Sequence, residues 1–222
     1  MSEVKGSERS YVSPLRAQQA AATRDAVLAA ARELFIAQGY GATTVDQIAV
    51  RAGVSKPTVF TAVGNKQTLL SVVRDVAMAG DDRKLTILQR PLAIQVIAEP
   101  DQRVAVGLLA RLFTEIGGRY AEIDHVLRGA SSAGDAGLQE LWRTSEAQRL
   151  AGARAWITAL TEKGPLRDHL DQDTAVDIMW LHMAPDLYYR LVCDRGWSPE
   201  RFERWLADGI THHLLPPEPL RS

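Results

Sequence analysis

The chain has one cysteine, Cys193, among 222 residues. That excludes an internal disulfide framework and fits a reducing compartment, so a cytoplasmic protein is expected. No apolar run reaches the length of about 18 residues that a membrane-spanning helix needs, so no membrane association is expected. The N-terminus has no continuous apolar core behind its charges, which argues against a secretory leader. Net charge is nearly absent at −1, and by itself it does not point to nucleic acid. The distribution is uneven, however. Met1 to Lys66 carries 8 Lys and Arg against 5 Asp and Glu, a balance of +3 that leaves −4 for the remainder. A mildly basic N-terminal part on an acidic body fits DNA binding at one end. Catalytic patterns are missing too. There is no Gly-rich phosphate loop, nucleophile elbow or two-His helix motif. His212 and His213 are adjacent and cannot share a helix face, and His125, His169 and Cys193 lack metal-ligand spacing. Neither an enzyme nor a bound cofactor or metal is expected.

What the chain does have is concentrated between Thr44 and Lys66. Thr44 is a good N-cap, and Gln47 three residues on gives capping-box spacing. Val45, Ile48, Ala49 and Ala52 recur at helical intervals. Gly53 ends that helix where a left-handed residue is wanted. Ser55 caps the next helix, and Pro57 falls in its first turn, where a missing N–H does no harm. A helix, a turn containing glycine and a capped second helix outline a helix-turn-helix, whose second helix enters the major groove.

Residues 23–70 resemble the DNA-binding domain of the TetR/AcrR family of transcriptional regulators. The resemblance rests on Ala30-Ala31-Arg32-Glu33-Leu34-Phe35, Gly39-Tyr40-Gly41-Ala42-Thr43-Thr44-Val45, Ile48-Ala49, Ala52-Gly53-Val54-Ser55-Lys56 and Lys66 through Leu70. Near the end, Gly196-Trp197-Ser198-Pro199-Glu200-Arg201 is also similar to the family. The resemblance implies an all-α protein of about nine or ten helices. A three-helix DNA-binding domain would precede a larger helical domain that binds ligand and dimerises through its last two long helices, with the fourth helix as a connecting rod. The expected organisation is an arm over 1–19, the helix-turn-helix domain with its connecting helix over 20–80, the ligand and dimer domain over 81–216, and a tail over 217–222.

Recognition is expected on the second helix of the motif. Val59 faces inward, which leaves Ser55, Lys56, Pro57, Thr58, Phe60 and Thr61 toward DNA. Lys56 reaches toward phosphate or a guanine edge, and Thr58 and Thr61 offer hydroxyls and methyls. Thr44 is placed to present its backbone N–H to a phosphate. Lys66 resembles the family lysine that clamps phosphate. Arg9 and Arg16, in the arm, are candidates for the minor groove. The chain departs from the family where tyrosine is common, at Phe60, and where aromatic or imidazole groups are common, at Thr61 and Ala62. Val63 and Gly64 replace a common Phe and Pro. The reading surface is small and nearly neutral, so phosphates, backbone groups and DNA shape are expected to carry much of the binding.

The first helix is expected from Arg24 to Gln38, capped by Thr23 and closed by Gly39, with Tyr40 filling the corner. The fourth is expected to end near Ala79. A short helix follows over Pro91–Ala98. Gly117-Gly118 reads as a break between two later helices, and Pro185 as a kink in a helix over 172–192. Ser198 caps a last helix that runs to Leu214. Phe113, Tyr120, Trp142, Trp156, Met179 and Met183 are the candidate ligand lining, as adaptable apolar groups. His182 reads as a hydrogen-bonded core histidine. Tyr188, Leu191, Phe202, Trp205 and Leu206 are the candidate dimer interface. The expected partners are double-stranded DNA, a small-molecule effector and a second copy of the chain. The expected role is a regulator, most simply a repressor released from a palindromic operator by its effector. The sparse chemistry at Thr61-Ala62 motivates one alternative, a helical protein that keeps the motif as a scaffold and acts through protein–protein contacts.

Overall fold

The computed structural model describes residues 14–81 and 86–217. Arg9, Asp82 and most of the C-terminal tail therefore lie outside the described residues. Ten α-helices and no strand form among them. The first, α1 (Pro14–Ala42), starts ten residues before the expected Arg24. Pro14 suits a first helical position, and the Leu15–Ala22 run of Leu, Arg, Ala and Gln has high helix propensity. Thr23 is therefore inside the helix rather than its cap. Gly39 breaks the helical path at φ +78 before a last turn to Ala42.

The motif itself forms as the capping signals require. In α2 (Val45–Ala52) the Gln47 N–H donates to the Thr44 hydroxyl, and Gly53 closes the helix in the left-handed region at φ +69. In α3 (Lys56–Ala62) Ser55 accepts from the Thr58 N–H at 3.3 Å. Asn65 caps α4 (Lys66–Ala79), and Gly80 ends it at φ +90. A 3-10 turn (Ile87–Gln89) leads into α5 (Pro91–Ala98). Then come α6 (Gln102–Ser132), α7 (Ala136–Thr161), α8 (Gln172–His182), the single turn α9 (Pro185–Tyr188), a π-turn (Tyr189–Asp194) and α10 (Pro199–Leu214).

Two expectations fail here for physical reasons. Gly117-Gly118 does not interrupt the chain, since α6 runs unbroken through it for 31 residues, about 46 Å at 1.5 Å per residue. Pro185 does more than kink. Helix α8 stops at His182, and Pro185 takes a first position in α9, where it needs no hydrogen-bond donor.

Helix α6 is the spine of the molecule because it supplies both cores. One core gathers Val27, Ala31 and Phe35 of α1, Ile48, Val59, and Leu69, Leu70 and Val73 of α4. It is completed by Tyr120, Ile123 and Leu127 of α6 and Leu138 of α7. The other joins Val106, Leu109 and Phe113 of α6 to Trp156, Met179, Phe202 and Leu206. The helix-turn-helix unit thus buries its apolar faces partly on helices beyond residue 80.

A polar seam runs between these cores. Arg74, 6% exposed, leaves α4 and donates to Ser145 Oγ at 2.9 Å and Gln148 Oε1 at 2.7 Å on α7. Nearby Asp124 is 3% exposed. Burial pushes its carboxyl up to about 6, against the hydrogen bond from Tyr120 and the pull of Arg128, and Glu146 pushes the same way as burial. A folded-state value raised above the ordinary carboxylate range means that the folded protein binds this proton more tightly. The associated stability is complete below about pH 4 and is lost as pH rises through about 6. We therefore expect Asp124→Asn to gain on the wild type by about 1.4 kcal/mol between pH 5 and pH 8. Urea unfolding at the two pH values checks this, and a constant gap would contradict it.

Candidate nucleic-acid interface

The exposed edge of α3 is built by its neighbours. Val59 is fully buried and anchors the helix, while Ser55, Lys56, Pro57, Phe60 and Thr61 are exposed and Thr58 is half-buried. The Arg24 guanidinium of α1 donates to the Ala62 carbonyl at 2.9 Å and fixes the end of α3. Arg24 reads in the sequence as an ordinary first-turn cation, and its 38-residue reach has no local signal. Arg51 of α2 holds Glu33 of α1 through two hydrogen bonds, which lowers the Glu33 carboxyl. Thr43, fully buried, donates its hydroxyl to the Gly39 carbonyl at 2.8 Å and seals the corner.

Several groups expected to face DNA are already engaged. The Thr44 N–H is not open to a phosphate, because it donates to Gln47 Oε1 at 2.8 Å as half of the capping box. Lys66 has two of its three ammonium N–H groups engaged within the protein. Its Nζ donates to the Tyr40 and Thr43 carbonyls, each at 2.9 Å, and lies 4.1 Å over the Tyr40 ring. Partial burial lowers its pKa. Lys66 is first a brace that ties the start of α4 to the corner between α1 and α2. Thr61 donates its hydroxyl back to the Pro57 carbonyl at 3.0 Å, and Thr58 Oγ1 lies 2.7 Å from Ser55 Oγ. The hydroxyls of both threonines are thus engaged within α3 and its cap. Lys56 is exposed, and its Nζ sits 2.9 Å from Asp46 Oδ2. Phe60 stands 46% exposed. Arg16 lies on the exposed first turns of α1, where residues 15–22 bury nothing.

The other candidate groups separate. Phe113, Trp156 and Met179 are buried in the second core with Met183 packed against it, and Phe113 meets Trp156 edge-on at 6.4 Å. Tyr120 and Trp142 belong to the first core. The six thus divide between the two cores. His182 is buried, and its Nδ1 sits 2.8 Å from the Ile178 carbonyl, as a core histidine should. Of the five interface candidates, Tyr188, Phe202 and Leu206 are buried within the single chain, at 7%, 2% and 0% exposure. A ring already covered by its own protomer has no face left for a partner. Trp205 remains 38% exposed and Leu191 half-buried. No helix among the described residues is long and apolar enough to cross a membrane.

With this geometry in place, comparison with known proteins is informative. The family model for bacterial regulatory proteins of the tetR family matches residues 27–73. The uncharacterized HTH-type transcriptional regulator YdeS of Bacillus subtilis (strain 168) is 31% identical over 171 residues, 77% of this chain and 78% of that protein. The fatty acid degradation regulator FadR from Bacillus halodurans has a similar fold, with TM-score 0.64 and 16% identity over 85% of this chain and 94% of that one. A transcriptional regulator from Saccharomonospora viridis, solved in complex with choline, also gives TM-score 0.64, with 18% identity over 87% of this chain and 98% of that one. Motif, all-helical architecture and relatives agree, and the chain belongs to the TetR family as a helix-turn-helix, DNA-binding transcriptional regulator.

Proposed function

We propose that this regulator is a homodimeric repressor released from a palindromic operator by a small molecule. The observation that carries the proposal is the tie between the motif and the helices behind it. Helix α4, which starts at the Lys66 brace, is bonded through Arg74 to Ser145 and Gln148 of α7. A conformational change among α6 and α7 is thereby transmitted to α3. The effector binds better to a conformer whose recognition helices are wrongly spaced, and DNA weakens effector binding by the same factor. We place the change from motif unit to effector and dimer unit near residue 80, with the shared core on α6 as the hinge between them. Two copies would set their recognition helices about one DNA turn apart, roughly 34–36 Å or a multiple. Trp205 and Leu191 are the interface candidates that still have surface to offer, beside Trp197, which packs edge-on to Trp205 at 6.2 Å. The choline complex of the Saccharomonospora viridis protein supports a small-molecule effector, and Phe113, Trp156, Met179 and Met183 are the side chains proposed to meet it.

Base reading rests on exposed Phe60 and on Thr58 and Thr61, whose methyl groups suit thymine methyl groups. Lys56 supplies a phosphate contact after exchanging Asp46 for DNA. Lys56→Ala should weaken binding to the upstream DNA of its own gene and lower the salt slope by about one. Asp46→Asn should tighten binding, because it removes both a competitor for Lys56 and a negative charge near phosphate. Fluorescence anisotropy over a salt series measures both. Absence of salt-dependent binding to any duplex would sink the reading.

A further inference from the structure

We propose that the cleft where α1, α4 and α6 meet is a binding site for a small amphipathic carboxylate, separate from the effector position proposed above. The cleft has a volume of about 710 Å³. Its floor is apolar, made by Leu28 of α1 and Val73, Val76 and Ala77 of α4. Two guanidiniums stand at its rim, Arg32 of α1 and Arg119 of α6. Arg119 is held in place by its stem. Its Nε donates to the Ala77 carbonyl at 3.4 Å, and the guanidinium packs on Gly80, where even a Cβ would come within 3.3 Å of it. Arg32 Nη2 donates to the Arg119 carbonyl at 3.2 Å and lies 3.7 Å from Glu122. Among the described residues no carboxylate pairs with Arg119, so its terminal nitrogens are available to a ligand. The cleft has two carboxylates of its own. Asp81 is bonded to Arg90 at 2.7 Å, which leaves exposed Asp25 as the other.

This arrangement recognises a carboxylate head on a compact apolar body. The head takes charge-assisted hydrogen bonds from Arg119 and Arg32, and the body lies against the apolar floor, where half-buried Val76 and exposed Ala29 still have surface to cover. A neutral apolar molecule would leave the terminal nitrogens of Arg119 without a carboxylate partner. The ligand would touch the motif unit through α1 and α4 and the body of the protein through α6. Its occupancy therefore pins the connecting helix against the spine. That consequence for the operator rests on the regulator reading, whereas binding in the cleft does not.

Calorimetric titration of the full chain with octanoate below its micelle concentration, in the absence of DNA, tests the site, with 1-octanol as the neutral comparison. Octanoate should bind, and Arg119→Gln should weaken it about tenfold while leaving octanol nearly unchanged, as expected for one charge-assisted bond. Ala29→Trp, placed on the exposed wall of the cleft, should abolish octanoate binding by filling the space. Thermal melting reports whether each variant folds, and Arg32→Gln replaces Arg119→Gln if the latter does not. Failure of the wild type to bind octanoate would overturn the proposal, as would wild-type affinity in both Arg119→Gln and Ala29→Trp. Because no operator is present, a failed titration leaves the repressor reading standing, and a failed repressor reading leaves the titration interpretable.

Discussion

Replacing Arg74 with alanine should lower the unfolding free energy by about 3 kcal/mol, whereas methionine at the same position should cost less than about 1 kcal/mol. Arg74 is buried between α4 and α7, where it bonds Ser145, Gln148 and the neighbouring Asp75. Its Nε is buried without a hydrogen-bond partner. A guanidinium taken out of water and left with one N–H unpaired is expensive, so much of its interaction energy offsets its own desolvation. Its stem, however, fills space between two helices. Alanine removes that volume and leaves a void, while methionine keeps most of the volume and removes the charge. Gln148 is exposed and can turn to water, and Ser145 retains its bond to the Leu141 carbonyl. Urea denaturation of the two variants decides the matter. Equal destabilisation would mean that the polar bonds, not the packing, hold α4 to α7. On the regulator reading, methionine should preserve stability yet blunt effector response, because the directional tie to α7 is gone.

Arg74 also shows where the sequence stops being legible. The motif from Thr44 to Lys66 could be read because each of its signals is local. Caps act within three residues, a glycine closes its own helix, and an apolar stripe repeats every turn. Arg74 and Asp124 carry no such mark. Each sits beside apolar stripe residues, Val73 and Ile123, and a charge there reads as the wet shoulder of a helix. Only the packing of α7 across both makes them buried. Lys66 and Thr44 show a related limit, because the sequence marks their donors but not the acceptors within the protein, the Tyr40 and Thr43 carbonyls for two of the Lys66 N–H groups and Gln47 Oε1 for the Thr44 N–H. Tyr188, Phe202 and Leu206, all buried within the single chain, show the opposite limit. Large apolar groups late in the chain fit an interface and a core equally well, and only three-dimensional burial separates the two. Helix α1 is longer than expected because a polar residue such as Thr23 reads as a cap, whereas the Leu15–Ala22 run before it has high helix propensity and carries the helix through it.

The strongest test of this packing is at Gly117, where a glycine that looks like a helix breaker serves as a slot. A Cβ at Gly117 would lie 2.5 Å from Cδ2 and 2.6 Å from Cγ of Tyr188, closer than real side chains approach. The Tyr188 ring cannot easily withdraw, since it is 7% exposed and packs edge-on to Phe202 at 5.0 Å. Overpacking costs about 1–3 kcal/mol, while exchanging glycine for alanine in a helix returns up to about 1 kcal/mol. Gly117→Ala should therefore destabilise by about 1–2 kcal/mol, and the bulkier, branched Gly117→Val by about 3 kcal/mol. Two glycines of the same helix provide the internal comparison. A Cβ at Gly107 or Gly129 would meet nothing within 4 Å. Alanine at either should stabilise by up to about 1 kcal/mol, the propensity gain alone. Gly118 lies between these cases, because its Cβ would come 3.3 Å from the Tyr188 hydroxyl and the ring tip would need to yield only slightly. The order of denaturation midpoints should be Gly107→Ala and Gly129→Ala above wild type, Gly118→Ala near it, and Gly117→Ala then Gly117→Val below. A Gly117→Ala protein as stable as Gly107→Ala would show that α9 does not lock against α6. The explanation for the unbroken spine would then fall with it.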